Sequence, residues 1–204
     1  MSEPAGIILA AGMSSRFGSD KLLYELTLQG EYQPLIQHTL QLWFSLFDEL
    51  SVVTRADTPL SRQAMLDFAD QHHKKINVIE CPNAVFGMGH SLSAAIKANL
   101  TSCGWVIGLA DMPLIPVSVL NQVYQNIKSG ALITAPYFDA QRGHPVGFNF
   151  HYKDELLALA GDTGAKKLLQ RDVEKIEKIH TEHQGILMDI DYLQDVNRIE
   201  KAAN

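Results

Sequence analysis

Thirteen residues near the start of the chain, Leu9-Ala10-Ala11-Gly12-Met13-Ser14-Ser15-Arg16-Phe17-Gly18-Ser19-Asp20-Lys21, follow directly on the apolar run Ala5-Gly6-Ile7-Ile8. Gly12 and Gly18 let a backbone turn and approach a ligand closely, and exposed N–H groups in such a turn cradle phosphate oxygens. Arg16 and Lys21 supply the positive charge that a triphosphate requires. The spacing matches neither Gly-x-Gly-x-x-Gly nor Gly-x-x-x-x-Gly-Lys-Ser/Thr, so a dinucleotide fold and a P-loop ATPase are both poorly supported. Glycines and serines after a strand also make ordinary turns, and that reading stays open at this point.

Two further places carry carboxylates. Asp111 ends the otherwise apolar run Trp105-Val106-Ile107-Gly108-Leu109-Ala110, with Pro113 just beyond it. A hard carboxylate there suits Mg²⁺, which takes one or two protein carboxylates and completes its octahedron with water and phosphates. An aspartate in that position also serves as a helix cap or a turn residue. Asp189-Ile190-Asp191 alternates, which places both carboxylates on one side of an expected strand; one suits the metal, and the other can cap the helix expected from about Leu193.

The elements that must position these residues follow from the alternation of short apolar runs with amphipathic segments, the pattern of βαβ units. Strands are expected at 5–10, 50–54, 76–79, 105–110 and 176–180. Helices are expected from Pro34, over 60–73, 89–100, 116–128, 153–160 and 164–171, and at the C-terminus. Two close runs, 131–137 and 146–150, suggest an antiparallel departure at one edge of the sheet. The expected architecture is α/β, a three-layer α/β/α sandwich with a Rossmann-like, mostly parallel sheet, in a single domain spanning 1–204. In open sheets of this kind ligands bind beyond the carboxyl ends of the strands.

The 204 residues are 46% hydrophobic and 20% charged, with a net charge of −6, so a disordered chain does not fit. No long basic block is present, which removes the electrostatic footprint of a nucleic-acid binder. Lys74-Lys75 and Lys166-Lys167 read as solvated faces. Cys81 and Cys103 read as buried thiols in a reducing compartment. No signal peptide and no membrane span are read, and a cytoplasmic location is the default expectation. Of the eight histidines, His144 alone stands out, between Gly143 and Pro145. Phe138, Phe148 and Phe150 are expected in the core.

Taken with the opening loop, the order of segments resembles the nucleotidyltransferases of the glycosyltransferase-A-type, Rossmann-like fold. It is most similar to the molybdenum cofactor cytidylyltransferases and their MobA-like relatives, over nearly the whole chain. Gly87-Met88-Gly89-His90-Ser91-Leu92 resembles that family's second nucleotide segment, Leu109-Ala110-Asp111-Met112-Pro113 its metal-binding strand end, and Arg142-Gly143-His144-Pro145-Val146 its acceptor loop. Gly161-Asp162-Thr163-Gly164-Ala165 and Met188-Asp189-Ile190-Asp191 complete the set. Tyr192-Leu193-Gln194-Asp195 departs from the family's Thr-Pro-Glu-Asp, and His90 replaces a residue that is commonly small.

The resemblance implies transfer of CMP from CTP to the terminal phosphate of molybdenum-bound molybdopterin, with release of pyrophosphate and with Mg²⁺ as cofactor. It assigns Arg16, Lys21 and Asp111 to catalysis. Leu9, Ala10, Ala11, Gly12, Arg16, Lys21, Gly87, Gly89 and Ser91 are assigned to the nucleotide, Arg142 and His144 to the acceptor, and Asp111 and Asp191 to the metal. A transient contact with a cofactor-accepting enzyme is a further expectation; nucleic acid and membrane partners are not expected. A sugar-phosphate nucleotidyltransferase, a GTP-using molybdopterin guanylyltransferase and a non-catalytic nucleotide-binding regulator remain alternatives.

Overall fold

The computed structural model describes residues 2–14 and 16–203; Ser15 of the opening loop lies outside the described residues. In chain order the elements are β1 (Ala5–Leu9), β2 (Glu25–Leu28), β3 (Glu31–Pro34), α1 (Leu35–Phe44), β4 (Glu49–Thr54), α2 (Pro59–Gln71), β5 (Lys75–Glu80) and α3 (Met88–Ala98). There follow β6 (Gly104–Leu109), α4 (Val117–Lys128), β7 (Ile133–Phe138), β8 (Gln141–Arg142), β9 (Val146–Asn149), α5 (Lys153–Leu157), α6 (Lys166–Arg171), β10 (Ile176–His180) and α7 (Leu193–Ala203).

The main sheet runs in the order β10-β7-β9-β6-β1-β4-β5, with β8 added beside β7. β1 lies between β4 and β6 and is parallel to both. β9 is antiparallel to β6 and to β7. The antiparallel departure is therefore inside the sheet and not at its edge. The reason is visible in β9 itself: Val146, Gly147 and Phe148 are all buried, an unbroken apolar run of the kind a doubly covered strand needs.

Alternation along the central strands sends side chains into two cores. Ile8 and Val106 face one layer, where Leu40 and Trp43 of α1, Met65 of α2, Leu120 of α4 and Ile199 of α7 are buried. Ile7 and Ile107 face the other, with Leu92 and Ile96 of α3, Leu156 of α5 and Leu168 of α6. This is the three-layer α/β/α arrangement. Its close packing is set partly by Gly108, where an added Cβ would lie 2.3 Å from Trp43.

Three local expectations are corrected. The segment 188–192 forms no strand; it is an irregular stretch between a 3-10 turn at Gln184–Leu187 and α7, because its turn is anchored to His144 through the Ile186 carbonyl. Cys103 is only partly buried, whereas Cys81 is buried. Phe150 is 37% exposed, since it follows the end of β9 and stacks on Trp105 with ring centroids 5.8 Å apart. A β2–β3 hairpin that patterning did not reveal turns through Gln29 (φ 53°) and Gly30 (φ 85°). No helix among the described residues is long and apolar enough to cross a membrane.

Candidate functional site

The loop after β1 is fixed at both ends. Ala10 donates its N–H to Val53 O at 2.8 Å, and Ala110 donates to Leu9 O at 3.1 Å, so the ends of β1, β4 and β6 open together. Gly18 takes φ 84°, a left-handed conformation that disfavours any residue with a Cβ. Arg55, which sequence reading did not select, donates from Nη1 to Gly12 O at 3.3 Å and pins the loop while its other nitrogens hold Asp57 at 2.7 Å.

The loop then delivers Lys21 under the cleft floor. Asp20 accepts from Leu22 N–H at 3.2 Å and starts a 3-10 turn, whose first residue is Lys21. The ammonium donates to Asp111 Oδ2 at 2.6 Å, to Ile190 O at 2.7 Å and to Asp191 Oδ1 at 3.2 Å. Its three donors are matched by three acceptors. Burial opposes the Lys21 charge, but Asp111 and Asp191 outweigh it and hold the pKa above the ordinary lysine value. Burial likewise pushes the Asp111 carboxyl upward, opposed by Lys21.

The aspartates converge from distant parts of the chain. Asp111, Asp189 and Asp191 each place a carboxylate oxygen within 4.8 Å of the other two. Ile190 donates its N–H to Asp111 O at 3.2 Å, which ties the 188–192 stretch to the end of β6. Asp195 accepts from the N–H groups of Asp191 (3.1 Å) and Tyr192 (2.8 Å). The capping role expected of Asp189 or Asp191 thus falls to Asp195, and both earlier carboxylates reach the cluster. Asp111 Oδ1 is buried and has no hydrogen-bond partner among the described residues. An orphaned carboxylate oxygen beside two further carboxylates fits a hard divalent cation, for which Asp111, Asp189 and Asp191 are the candidate ligands.

Across the cluster, Arg16 reaches Asp191 Oδ2 at 3.1 Å and lies 5.9 Å from the Tyr192 ring centroid. A cleft of about 540 Å³ opens above these groups. Its walls bring together Leu9, Ala10, Ala11, Gly12, Arg16, Lys21, Gly87, Ser91, Asp111 and Asp191, all expected from the sequence. Gly89 does not line it. Its N–H donates to Gly161 O at 2.8 Å and a Cβ there would lie 2.7 Å from the Ala160 backbone, so it packs one segment against another.

Arg142 and His144 do not line this cleft either. They belong to a separate stretch held by Gly143 N–H on Pro136 O (2.8 Å) and His144 N–H on Ile186 O (2.9 Å). Arg142 Nε and His144 Nδ1 are both buried and lack partners among the described residues. Burial, then the Arg142 charge, push the His144 pKa down to about 4, so the ring is neutral at pH 7.

Val85 lies in no segment singled out from the sequence, and Met13, Met88 and Asp162 lie in such segments without an assigned role; Met13, Val85 and Met88 supply apolar wall, and Asp162 adds a fourth carboxylate to the lining. The glycines around Asp162 were the available signal.

The family model of the MobA-like NTP transferase domain matches residues 6–177. The purine catabolism protein PucB of Bacillus subtilis (strain 168) is 28% identical over 206 residues, covering 97% of this chain and 96% of that protein. The crystal structure of Rv0371c from Mycobacterium tuberculosis H37Rv superposes with a TM-score of 0.79 at 24% identity and 98% coverage of both chains. A complex of Rv0371c with manganese gives 0.75 at 23%, covering 98% of this chain and 99% of that one. The molybdopterin-guanine dinucleotide biosynthesis protein A from Archaeoglobus fulgidus gives 0.58 at 20%, covering 97% of both. The structural likenesses establish the fold, and the domain match establishes membership: the chain is a nucleotidyltransferase of the MobA-like NTP transferase family.

Proposed function

We propose that this protein transfers CMP from CTP to the terminal phosphate of molybdenum-bound molybdopterin, releasing pyrophosphate. The observation that carries a nucleotidyl transfer is the convergence, in one cleft, of a glycine-turned loop, two cations and three clustered carboxylates. The acceptor is suggested by the molybdopterin-guanine dinucleotide protein of Archaeoglobus fulgidus among the relatives, and the base by Leu9-Ala10-Ala11-Gly12, since the resemblance associates Leu-Ala-Gly-Gly with GMP transfer.

In this reading an oxygen of the acceptor's terminal phosphate bonds to the α-phosphorus. The bond from that phosphorus to the bridging oxygen breaks, and pyrophosphate leaves with the electron pair. The attacking phosphate is anionic at neutral pH, so no strong general base is required. The site's work is alignment and charge neutralisation. The N–H groups of Ala11, Gly12 and Met13 donate to no backbone carbonyl among the described residues and are free for phosphate oxygens. Arg16, exposed in its pair with Asp191, exchanges that carboxylate for the triphosphate at little cost, as exposed pairs do. Lys21 keeps Asp111 and reaches a phosphate by giving up its longest contact, the one to Asp191.

Asp111, Asp189 and Asp191 would hold Mg²⁺, which when bound neutralises charge on the triphosphate. The relative solved with manganese is in accord with a divalent ion in this fold. Arg142 is read as an acceptor contact because its guanidinium has an unpartnered buried nitrogen, and His144 is read with it.

The test is pyrophosphate release with CTP, GTP, UTP and ATP, each against molybdenum-bound molybdopterin, sugar 1-phosphates and other phosphorylated small molecules. CTP with the molybdopterin acceptor should dominate. Release with a sugar phosphate alone would replace the acceptor, and nucleotide binding without release would replace the enzyme with a regulator. GTP use is the second reading, favoured by the guanine dinucleotide relative.

A further inference from the structure

We infer that Asp162 is a specificity-determining residue, whose carboxylate accepts hydrogen bonds from the amino-bearing edge of a heterocycle bound in the cleft. The inference rests on the nucleotidyl-transfer reading above and adds the part of the substrate that is not phosphate.

Asp162 lies in the wall of the same cleft as Asp111, Asp189 and Asp191. Unlike Asp111 and Asp191, which are held by Lys21 and Arg16, it forms no hydrogen bond and no ion pair through its carboxylate among the described residues. The residue is exposed, and the backbone on either side of it is held. Gly161 O accepts from Gly89 N–H at 2.8 Å, and Thr163 O accepts from Lys166 N–H at 3.0 Å. Gly87 has φ 121°, and a Cβ there would stand 2.3 Å from the Gly161 carbonyl carbon and 2.4 Å from Asp162 Oδ1. Only a glycine lets the carboxylate settle against that turn.

The surroundings decide which ligand atoms fit. A carboxylate without a cation repels phosphate oxygens, so in this reading Asp162 faces a part of the substrate other than the triphosphate. The same cleft is lined by Ala84, Val85 and Met88, apolar wall suited to a flat ring. An ionised carboxylate offers only acceptors, so the ring edge facing it must donate. Cytosine presents a 4-amino group and uracil presents a carbonyl oxygen there; a pterin presents a 2-amino group next to a ring N–H. The carboxylate requires an N–H donor edge, which either the nucleotide or the acceptor carries.

The experiment compares wild-type protein with Asp162→Asn and Asp162→Ala. One arm measures binding of CTP and UTP by calorimetry in the presence of Ca²⁺, and kcat/KM for both in the presence of Mg²⁺. The other measures the KM of molybdenum-bound molybdopterin at saturating CTP. Asparagine can accept from an amino group or donate to a carbonyl, so Asp162→Asn should lower the CTP-to-UTP ratio about tenfold or more, chiefly by improving UTP, with the thermal midpoint unchanged. A change confined to the acceptor KM of about tenfold supports the same chemistry and assigns it to the pterin edge. Unchanged ratios and unchanged acceptor KM in both variants overturn the inference. Nucleotide binding that discriminates CTP from UTP through Asp162, without pyrophosphate release, would defeat the catalytic reading and leave this one standing.

Discussion

Lys21 and Asp111 lie 90 residues apart in sequence and 2.6 Å apart in space. With Asp191 accepting from the same ammonium, the lysine holds two carboxylates of a three-aspartate cluster. Without it those carboxylates would repel one another beneath a low-dielectric floor. Lysine-to-alanine replacement should slow turnover on the order of a hundredfold, as loss of one preorganised contact of about 3 kcal/mol does. It should also lower the thermal midpoint, and Mg²⁺ or Mn²⁺ should raise that midpoint more in Lys21→Ala than in wild type. A loss of less than a few-fold at saturating nucleotide would reduce Lys21 to a structural ion pair.

Asp111 has the orphaned oxygen. Asp111→Asn keeps the shape and the contacts of the end of β6, where Thr39 Oγ1 donates to Ala110 O at 2.9 Å, but it removes the charge. Most divalent-dependent turnover should disappear while circular dichroism and the melting transition remain those of a folded protein. Wild-type activity in this variant would take Asp111 out of the metal site.

His144 makes a prediction about pH. Its pKa in the folded protein is pushed down to about 4 by burial and by Arg142, whereas in the unfolded chain it titrates near 6.5. Above pH 6.5 the ring is neutral in both states and adds no pH dependence. Between 6.5 and 4 the unfolded chain binds a proton that the folded one does not, so stability falls as pH falls through that window and levels off below it. The displacement corresponds to at most about 3 kcal/mol. Denaturant unfolding of wild type and His144→Gln should diverge over pH 4–6.5 and run parallel above it; parallel curves throughout would show the ring to be solvated.

The site and the fold differed in how far they could be read from residues alone. The opening loop, Asp111 and the Gly87 turn carry their signal locally, because a glycine at a strand end and a carboxylate closing an apolar run state what the backbone must do there. All of them meet in the cleft. What stayed hidden is non-local. Gly89 has the same residue type as Gly87, and only its contact with Ala160 and Gly161 shows that it serves packing. The place of β9 within the sheet depends on which strands accept it, and local patterning cannot show that. Asp189 and Asp191 have strand-like alternation, yet the anchored turn before them and the Asp195 cap after them keep the segment irregular.

Gly87 itself is testable as the joint between the 87–92 and 161–165 segments. A methyl group there meets the Gly161 backbone at 2.3 Å, and φ 121° is strained for any residue with a Cβ. Gly87→Ala should cost about 1–3 kcal/mol of stability and displace the 161–164 loop, raising the KM for nucleotide more than it lowers kcat. Unchanged stability and KM would mean that the turn relaxes freely.

The choice of nucleotide returns to Ala11. Its side chain lines the cleft and packs on the core cluster that contains Ile7, Leu9 and Val53, so its methyl group both restricts the loop backbone and takes up room at the cleft wall. Glycine at this position frees the backbone and leaves more room for a purine edge. One methyl group discriminates by only about 1–3 kcal/mol, and the neighbouring walls are unchanged, so the effect should be partial. Wild type should prefer CTP to GTP in kcat/KM. In Ala11→Gly that preference should shrink about tenfold without inverting, and mostly through a better KM for GTP, because added room acts on binding and not on the alignment of the α-phosphorus. A wild-type preference for GTP would show that the first loop does not select the pyrimidine.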